Sequence, residues 1–267
     1  ILQLALLDPG DIGIDGGGGG LDGILHLGPL QIDHVDMGLV EGGAGAGTLL
    51  GDGRVDVLYG GAGDDVLLGD DISAPRPGAG PGKAVLDGGV GADQLVGHGG
   101  SDTLLGGEGD DVLFGDDELL DAAFHGADLL DGGAGNDWLF GQGGDDILLG
   151  GEGHDLLVAG DGNDVLDGGQ GDDIYDLVGW AGDKTIIDAG GNDRLRLGWS
   201  LADLGLSRGS LVLTNTATGQ QVHIQGFDAD DPATATPIDF IELTGDDGQP
   251  LVVSTAELID RGGLGSQ

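Results

Sequence analysis

Glycine-rich polar stretches alternate with short apolar triplets along most of the chain, at a period of nine residues. From Gly132 the sequence reads GGAGNDWLF, GQGGDDILL, GGEGHDLLV, AGDGNDVLD and GGQGDDIYD without interruption. The same frame is present from Gly88 (GGVGADQLV, GHGGSDTLL, GGEGDDVLF) and from Gly42 (GGAGAGTLL, GDGRVDVLY, GGAGDDVLL). A fixed period of this kind is typical of solenoids, in which each unit packs only on its neighbours. The pattern therefore predicts a stacked repeat fold.

Each nine-residue unit combines a turn with a short strand. The first six positions favour a turn because glycine accepts positive φ, and the last three favour a strand because they are apolar. Three-residue strands are stable only when stacked, at about 4.8 Å from one another. We expect an all-β parallel roll in which position eight of every unit faces one apolar seam. The seam residues are Leu49, Leu58, Leu67, Leu95, Leu104, Leu113, Leu139, Leu148, Leu157, Leu166 and Tyr175.

The sixth position of the unit is almost always aspartate. One unit supplies one loop and one strand, so two units make a coil of eighteen residues and loops on one edge come from alternate units. Stacking then places the carboxylates in two columns, about 5 Å apart along each edge, where like charges repel unless a cation lies between them. The column residues are Asp56, Asp65, Asp93, Asp102, Asp111, Asp128, Asp137, Asp146, Asp155, Asp164 and Asp173.

The repeat divides the chain into three segments. Residues 42–197 carry the roll, with loop insertions at 69–87 and 115–131 that leave the nine-residue phase intact on both sides. Insertions of this kind belong on loops, and the second contains ELLDAAFHG, which favours a helical turn. Residues 1–41 are either a degenerate part of the roll or the tail of an upstream domain.

After residue 197 the glycine density falls and the strand patterns lengthen. Strands are predicted at 210–215, 221–227, 238–244 and 250–253. The sequence Ser-Thr-Ala-Glu at 254–257 is a capping box that opens a short helix. We expect residues 198–267 to form a small β-rich segment that caps the otherwise open end of the roll.

The charge restricts the partners. The chain has 267 residues, of which 49 are acidic and 8 basic, giving a formal net charge of −41. Such a polyanion is repelled by nucleic acid and by anionic membranes, so its partners are cations. The apolar stretch at 1–7 is too short for a membrane span and lacks the basic flank of a signal peptide. We expect a part of a longer polypeptide that does not itself insert into membranes.

The donors available in the loops are hard oxygen atoms. Carboxylates and backbone carbonyls favour calcium over zinc or copper, since the chain has no cysteine and its six histidines are scattered. Magnesium fits less well because it retains water and demands octahedral geometry. About ten calcium ions would neutralise about twenty charges. No protease, lipase or phosphate-binding signature is present, so we expect no catalytic activity in this chain.

Units such as GGAGNDWLF resemble the GGxGxDxUx nonapeptides of RTX (repeats-in-toxin) proteins, also called haemolysin-type calcium-binding repeats. The resemblance covers about residues 42–197. It implies a right-handed parallel β-roll with calcium between successive loops on one edge. It also implies export through bacterial type I secretion machinery with an uncleaved C-terminal signal.

The resemblance implies a ligand set for each ion. One loop offers the carbonyls of positions two and four and the Asp at six, and the next loop on that edge offers the carbonyls of positions one and three and its own Asp. Each inner Asp then bridges two ions, and Asp193 is the last partner of Asp173. Carried over, the carbonyl ligands are those of Gly61, Gly63, Gly88, Gly89, Gly91, Gly106, Gly107, Glu108, Gly109, Gly132, Gly133, Ala134, Gly135, Gly150, Gly151, Glu152, Gly153, Gly168 and Gln170.

Four positions depart from the repeat. Gly47 and Ala84 stand where Asp is expected, which weakens or removes the sites that use them, and Arg54 replaces the usual fourth glycine. Lys184 falls at position six of GWAGDKTII. Its ammonium group is expected to occupy a calcium position against Asp164 and to end that column without a metal.

These features predict an extracellular module that binds calcium, folds on calcium binding after type I secretion, and supports the export and folding of a larger toxin or exoenzyme. Two alternatives remain open at this stage. The second hypothesis is a non-catalytic accessory module of a secreted protease, lipase or polysaccharide-modifying enzyme. The chain is also compatible with an adhesin or surface-layer spacer that calcium makes rigid.

Overall fold

The computed structural model describes residues 12–14, 25–27, 40–51, 55–69, 82–117, 121–207, 211–226, 237–245 and 247–261. Strands dominate these residues, and they belong to two sheets whose central strands are all parallel. The chain passes from one sheet to the other after each nine-residue unit. This is the parallel β-roll that the repeat predicts.

The larger sheet has thirteen strands and the smaller has ten. In spatial order the larger sheet contains β1 (Ile12–Ile14), β2 (Leu25–Leu27), β3 (Val40–Ala44), β5 (Val55–Ala62), β7 (Lys83–Val90), β9 (Thr103–Glu108), β11 (Leu129–Ala134), β13 (Ile147–Glu152), β15 (Asp164–Gln170), β17 (Lys184–Ile187), β21 (Gln221–Ile224), β20 (Leu211–Asn215) and β19 (Leu204–Ser207). The smaller sheet contains β23 (Pro250–Ser254), β22 (Phe240–Thr244), β18 (Arg194–Ser200), β16 (Ile174–Asp176), β14 (Leu156–Val158), β12 (Trp138–Phe140), β10 (Val112–Phe114), β8 (Gln94–Val96), β6 (Val66–Leu68) and β4 (Thr48–Leu50).

Register along the roll follows the repeat. Leu148 of β13 pairs with Leu166 of β15, and Leu139 of β12 pairs with Leu157 of β14, so a step along a sheet between uninterrupted units is eighteen residues. The pairing places position eight opposite position eight throughout. Parallel strands in such a ladder share one inward face, because a slip of one residue would turn every leucine outward.

The predicted apolar seam is confirmed. Every position-eight residue is buried, and most have no exposed surface at all. Tyr175, which replaces the last leucine, is also fully buried. Leu86, Leu130 and Ile186 continue the same core within the larger sheet, since they pair with Leu58, Leu148 and Leu166 of neighbouring strands. The core is therefore thin and aliphatic, with one large side chain per strand.

The two insertions leave the stacking intact. Lys83–Val90, which begins within the last residues of the first insertion, pairs with β5 in register, and most of that insertion lies outside the described residues. The second insertion contains the predicted helical turn as a 3-10 helix at Ala122–Phe124, capped by the carboxylate of Asp121, which accepts a hydrogen bond from Ala123 N at 3.1 Å. The strands on either side of the insertions therefore keep their register.

The C-terminal segment continues both sheets of the roll. Strands β19, β20 and β21 form an antiparallel meander that joins the larger sheet beside β17, and the hairpin of β22 and β23 joins the smaller sheet beside β18. Four of these strands overlap the predicted ones, and β19 was not predicted. The helix α1 (Thr255–Arg261) begins as expected, with Glu257 N donating to Ser254 Oγ at 3.1 Å. The segment covers the last coil of the roll.

At the other end, β1 and β2 form an antiparallel pair, and β2 lies beside β3. The rest of residues 1–39 lies outside the described residues, as does Arg54. Strand β3 begins at Val40, two residues before the predicted start of the roll. Within the described part of the chain, no helix has the length and apolar character needed to cross a membrane.

Truncating one seam leucine is expected to destabilise the roll strongly. Leu148→Ala removes a fully buried side chain and should lower the free energy of unfolding by about 3 kcal/mol, through lost burial and a residual cavity. The matched control is Ile147→Ala, since Ile147 is adjacent in the same strand but 43% exposed. Denaturant unfolding in calcium-containing buffer measures both. Equal losses in the two variants would contradict a single inward-facing seam.

Candidate metal centres

The roll has two edges formed by glycine-rich loops. The first edge is the set of loops in which the chain passes from the larger sheet to the smaller sheet. The second edge is the set of loops in which the chain returns from the smaller sheet to the larger sheet. On the first edge, the second and fourth positions are glycines with positive φ, such as Gly133 at 98° and Gly135 at 150°. A Cβ atom at Gly133 would collide with the carbonyl oxygen of Gly107 in the preceding coil. Glycine is therefore required both by the turn and by the close approach of stacked loops.

The position-six aspartates of each edge form a hydrogen-bonded ladder. Asp137 N donates to Asp155 Oδ1 at 2.8 Å, and Asp155 N donates to Asp173 Oδ1 at 2.8 Å. On the second edge Asp128 N donates to Asp146 Oδ1 at 2.9 Å. The first-edge ladder links Gly47, Asp65, Asp93, Asp111, Asp137, Asp155, Asp173 and Asp193 in order, and the second-edge ladder links Ala84, Asp102, Asp128, Asp146 and Asp164.

The second oxygen of these carboxylates has a different environment. Oδ2 is buried and accepts no hydrogen bond in eight of the column residues, although a buried carboxylate oxygen without a partner is costly. The eight residues are Asp65, Asp93, Asp111, Asp128, Asp137, Asp146, Asp155 and Asp173. A Cβ atom at Gly132 would meet both Asp137 Oδ2 and Gly150 O, and one at Gly150 would meet both Asp155 Oδ2 and Gly168 O, so carboxylate and carbonyl oxygens lie close together there. Buried carboxylate oxygens beside carbonyl oxygens suit a hard divalent cation, and the residues present fit calcium.

Burial of these groups opposes their ionisation. It raises the pKa of Asp137 and of Asp155 to about 7, although a backbone N–H bond to each carboxylate acts in the opposite direction. The pKa of Asp146 is raised to about 8, where burial is reinforced by the nearby carboxylates of Asp128 and Asp164. These shifts describe a carboxylate column without metal. A bound cation would reverse them by favouring the charged form.

Sequence reasoning missed a second ladder on the outside of the loops, at position five. Asn136 N donates to Asp110 Oδ1 at 2.8 Å, His154 N donates to Asn136 Oδ1 at 3.0 Å, Asp172 N donates to His154 Nδ1 at 2.8 Å, and Asn192 N donates to Asp172 Oδ1 at 2.9 Å. In this ladder the N–H donor belongs to the later coil and the acceptor to the earlier coil, whereas in the position-six ladder the donor belongs to the earlier coil. On the second edge the equivalent ladder runs through Asp145, Asn163, Asp183 and Gln221. The preference for Asp, Asn or His at position five was its visible signal.

The first edge ends in a three-carboxylate cluster. Ligand oxygens of Asp173, Asp188 and Asp193 all lie within 4.8 Å of one another. Tyr175 OH donates to Asp188 Oδ2 at 2.5 Å and accepts from Gly168 N at 2.7 Å, so the buried tyrosine holds Asp188 beside the column. The expected pairing of Asp173 with Asp193 is present, since Asp173 N donates to Asp193 Oδ1 at 2.9 Å. Asp188 was not among the predicted ligands.

The second edge ends differently. Lys184 Nζ lies 2.7 Å from Asp164 Oδ2 and is buried. Earlier on this edge, Ala84 N continues the ladder by donating to Asp102 Oδ1 at 2.7 Å, but Ala84 adds no carboxylate. Asp56 is buried at its expected position.

The second insertion brings a further carboxylate to the second edge. Asp116 has no exposed surface, and neither of its oxygens makes a regular hydrogen bond. Burial raises its pKa to about 9, with further contributions from the carboxylates of Asp128 and Asp146. His125 Nδ1 lies 3.9 Å from Asp116 Oδ2. Its signal in the sequence is the Gly-Asp-Asp at residues 115–117, which opens the second insertion.

Acidification is expected to stabilise the calcium-free roll. The pKa of several column carboxyls, Asp111 and Asp137 among them, is raised from 3.8 to about 7 in the folded state. The roll then holds protons that the unfolded chain releases, so this stabilisation is complete below about pH 4 and is lost as the pH rises through about 7.

Far-ultraviolet circular dichroism of calcium-stripped protein measures this effect at constant ionic strength. We expect more β-structure at pH 5 than at pH 8. Equal or greater β-content at pH 8 would contradict the burial of the column carboxyls in the calcium-free roll.

Comparison with protein families bears on these sites. The family model described as RTX calcium-binding nonapeptide repeat matches the chain four times, at residues 41–71, 81–118, 126–157 and 149–183. These matches include the column aspartates from Asp56 to Asp173, whereas Lys184 lies just beyond the last of them. A search of curated proteins gives no match. RTX repeats bind several calcium ions and form structural, non-catalytic domains. The chain therefore belongs to the family of proteins with RTX calcium-binding nonapeptide repeats.

Proposed function

We propose that this chain is a calcium-dependent folding module of a larger secreted protein, with ions held between consecutive loops of each edge. In a representative first-edge site, carbonyls of Gly133 and Gly135 and the Asp137 carboxylate face carbonyls of Gly150 and Glu152 and the Asp155 carboxylate. The observation that carries this proposal is the run of buried Oδ2 atoms that accept no hydrogen bond. Each of these oxygen atoms can coordinate a hard cation such as calcium.

Electrostatics makes calcium binding and folding one process. The formal net charge is −41, and the roll brings column carboxylates to the spacing of neighbouring strands, about 4.8 Å. Repulsion between them, together with the cost of burying each charge, opposes the metal-free roll. The unfolded chain has no preformed sites, so calcium binds the folded state and stabilises it by mass action. Each occupied site adds to the free energy of unfolding.

This linkage supports a role in export. RTX repeat proteins are typically secreted, and their repeats belong to type I secreted proteins. In a calcium-poor cytosol the chain would remain extended and fit a narrow secretion channel. Outside the cell, millimolar calcium would fold it and oppose its return. The type I secretion machinery is thus the proposed transient partner, and the extracellular medium is the proposed site of action.

Calcium is expected to drive a cooperative transition from coil to β-structure. The experiment is a titration of chelator-treated protein followed by far-ultraviolet circular dichroism, with magnesium as the control ion. Magnesium should leave the spectrum largely unchanged, because it dehydrates reluctantly and tolerates carbonyl cages poorly. A spectrum already rich in β-structure in chelator at neutral pH, and unmoved by calcium, would overturn the folding switch.

Removing one bridging carboxylate is expected to weaken two adjacent sites. Asp155→Asn should lower the number of calcium ions bound at a fixed submillimolar concentration by up to two, since Asp155 stands between the loops of Asp137 and Asp173. The matched control is Asp172→Asn, an equal change of charge on an exposed position-five residue whose Oδ1 acceptor is retained. Native mass spectrometry counts the ions. Equal losses in both variants would show that net charge alone matters.

A further inference from the structure

Lys184 is a buried lysine in an acidic chain. It begins β17 with only 3% of its surface exposed, which is rare for lysine unless its ammonium group is fully partnered. Nζ lies 2.7 Å from Asp164 Oδ2 and donates to three backbone carbonyls, those of Gly160 at 2.8 Å, Gly162 at 2.6 Å and Ala181 at 2.9 Å. Four oxygen atoms therefore surround one nitrogen atom.

These four oxygens occupy specific repeat positions. Gly160, Gly162 and Asp164 are positions two, four and six of the unit AGDGNDVLD, and Ala181 is position three of the unit GWAGDKTII. These are four of the six donors that we propose for calcium elsewhere in the roll, and the other two are the position-one carbonyl and the position-six carboxylate of the following unit. Lys184 itself stands at position six, where the repeat otherwise places Asp.

We propose that the Lys184 ammonium group is a tethered cation that replaces calcium between the last two loops of the second edge, so that this site takes no metal. The inference rests on the proposed function, because it presumes that the equivalent positions in other coils are calcium sites. The exchange conserves charge. An aspartate with one calcium ion carries one net positive charge, and so does a lysine alone.

The position of Lys184 in the fold explains why an ion is replaced here. Lys184 pairs with Val222 of β21, and the unit that precedes β21 is the turn TATGQQ, which has no acidic residue. An aspartate at 184 would have no further carboxylate ladder to join. The ladder already stops there, since Asp164 N donates to Asp183 O at 3.2 Å and not to a side chain. The last coil of the second edge thus keeps its cation at any calcium concentration.

Lys184→Asp tests the proposal by restoring the repeat residue. The variant is expected to bind one calcium ion more than the wild-type protein, counted by native mass spectrometry at saturating calcium. The control is Lys83→Asp, an equal change of charge at an exposed residue of β7, which should leave the count unchanged. An unchanged count in Lys184→Asp, with β-structure retained, would overturn the proposal. A wild-type protein that binds no calcium would instead overturn the proposed function.

A second measurement needs no variant. Lys83 and Lys184 are the only lysines in the chain, so acylation of amines followed by peptide mapping compares them directly. In calcium-saturated protein Lys184 should react about tenfold or more slowly than Lys83, because its ammonium group is enclosed. If calcium displaced that ammonium group, Lys184 would react at a rate close to that of Lys83. That result would overturn the proposal even if Lys184→Asp failed to fold.

Discussion

The stacking of buried carboxylates at the spacing of β-strands is the constraint on which the rest of this structure depends. Position-six aspartates such as Asp155 use Oδ1 to accept a hydrogen bond from the previous loop, and in the eight column residues named above Oδ2 is buried without a hydrogen bond. The same register that places Leu148 over Leu166 places Asp146 over Asp164. The apolar seam therefore cannot form without also bringing the acidic columns together. Neutralising the columns therefore favours the whole roll, which is the physical basis of the proposed calcium-dependent folding.

The thinness of the core makes this dependence strong. Each strand contributes one large inward side chain, such as Leu139 or Leu157, and the loops between strands consist largely of glycine. Glycine loses more backbone entropy on folding than other residues, and it is required because a Cβ atom at Gly151 would collide with Gly133 O. A broader core could tolerate a few repulsive contacts. With a core this thin, the proposed cation binding would contribute a large part of the stability.

The repeat made positions six and eight predictable, because a fixed period assigns every aspartate and every leucine to one place in the coil. It gave no information on residues outside that period. Asp116 lies in an insertion, and Asp188 replaces a glycine at position one, yet both reach the columns. Strand β19 was missed because it is only four residues long, Leu204–Ser207, and directly follows a 3-10 helix at Leu201–Asp203. Position five was visible as a preference, but its ladder depends on hydrogen-bond directions that only the three-dimensional stack fixes.

The end of such a roll presents two separate problems, an unpaired sheet edge and an unfinished column of charge. The C-terminal strands solve the first by extending both sheets with antiparallel pairs, which removes the parallel edge. The two edges solve the second in opposite ways. The first edge adds a carboxylate, Asp188, held by Tyr175, and so concentrates charge for its last ion, whereas the second edge ends on the ammonium group of Lys184. The first-edge column therefore ends with an additional carboxylate that favours cation binding, and the second-edge column ends with a cation that is part of the chain.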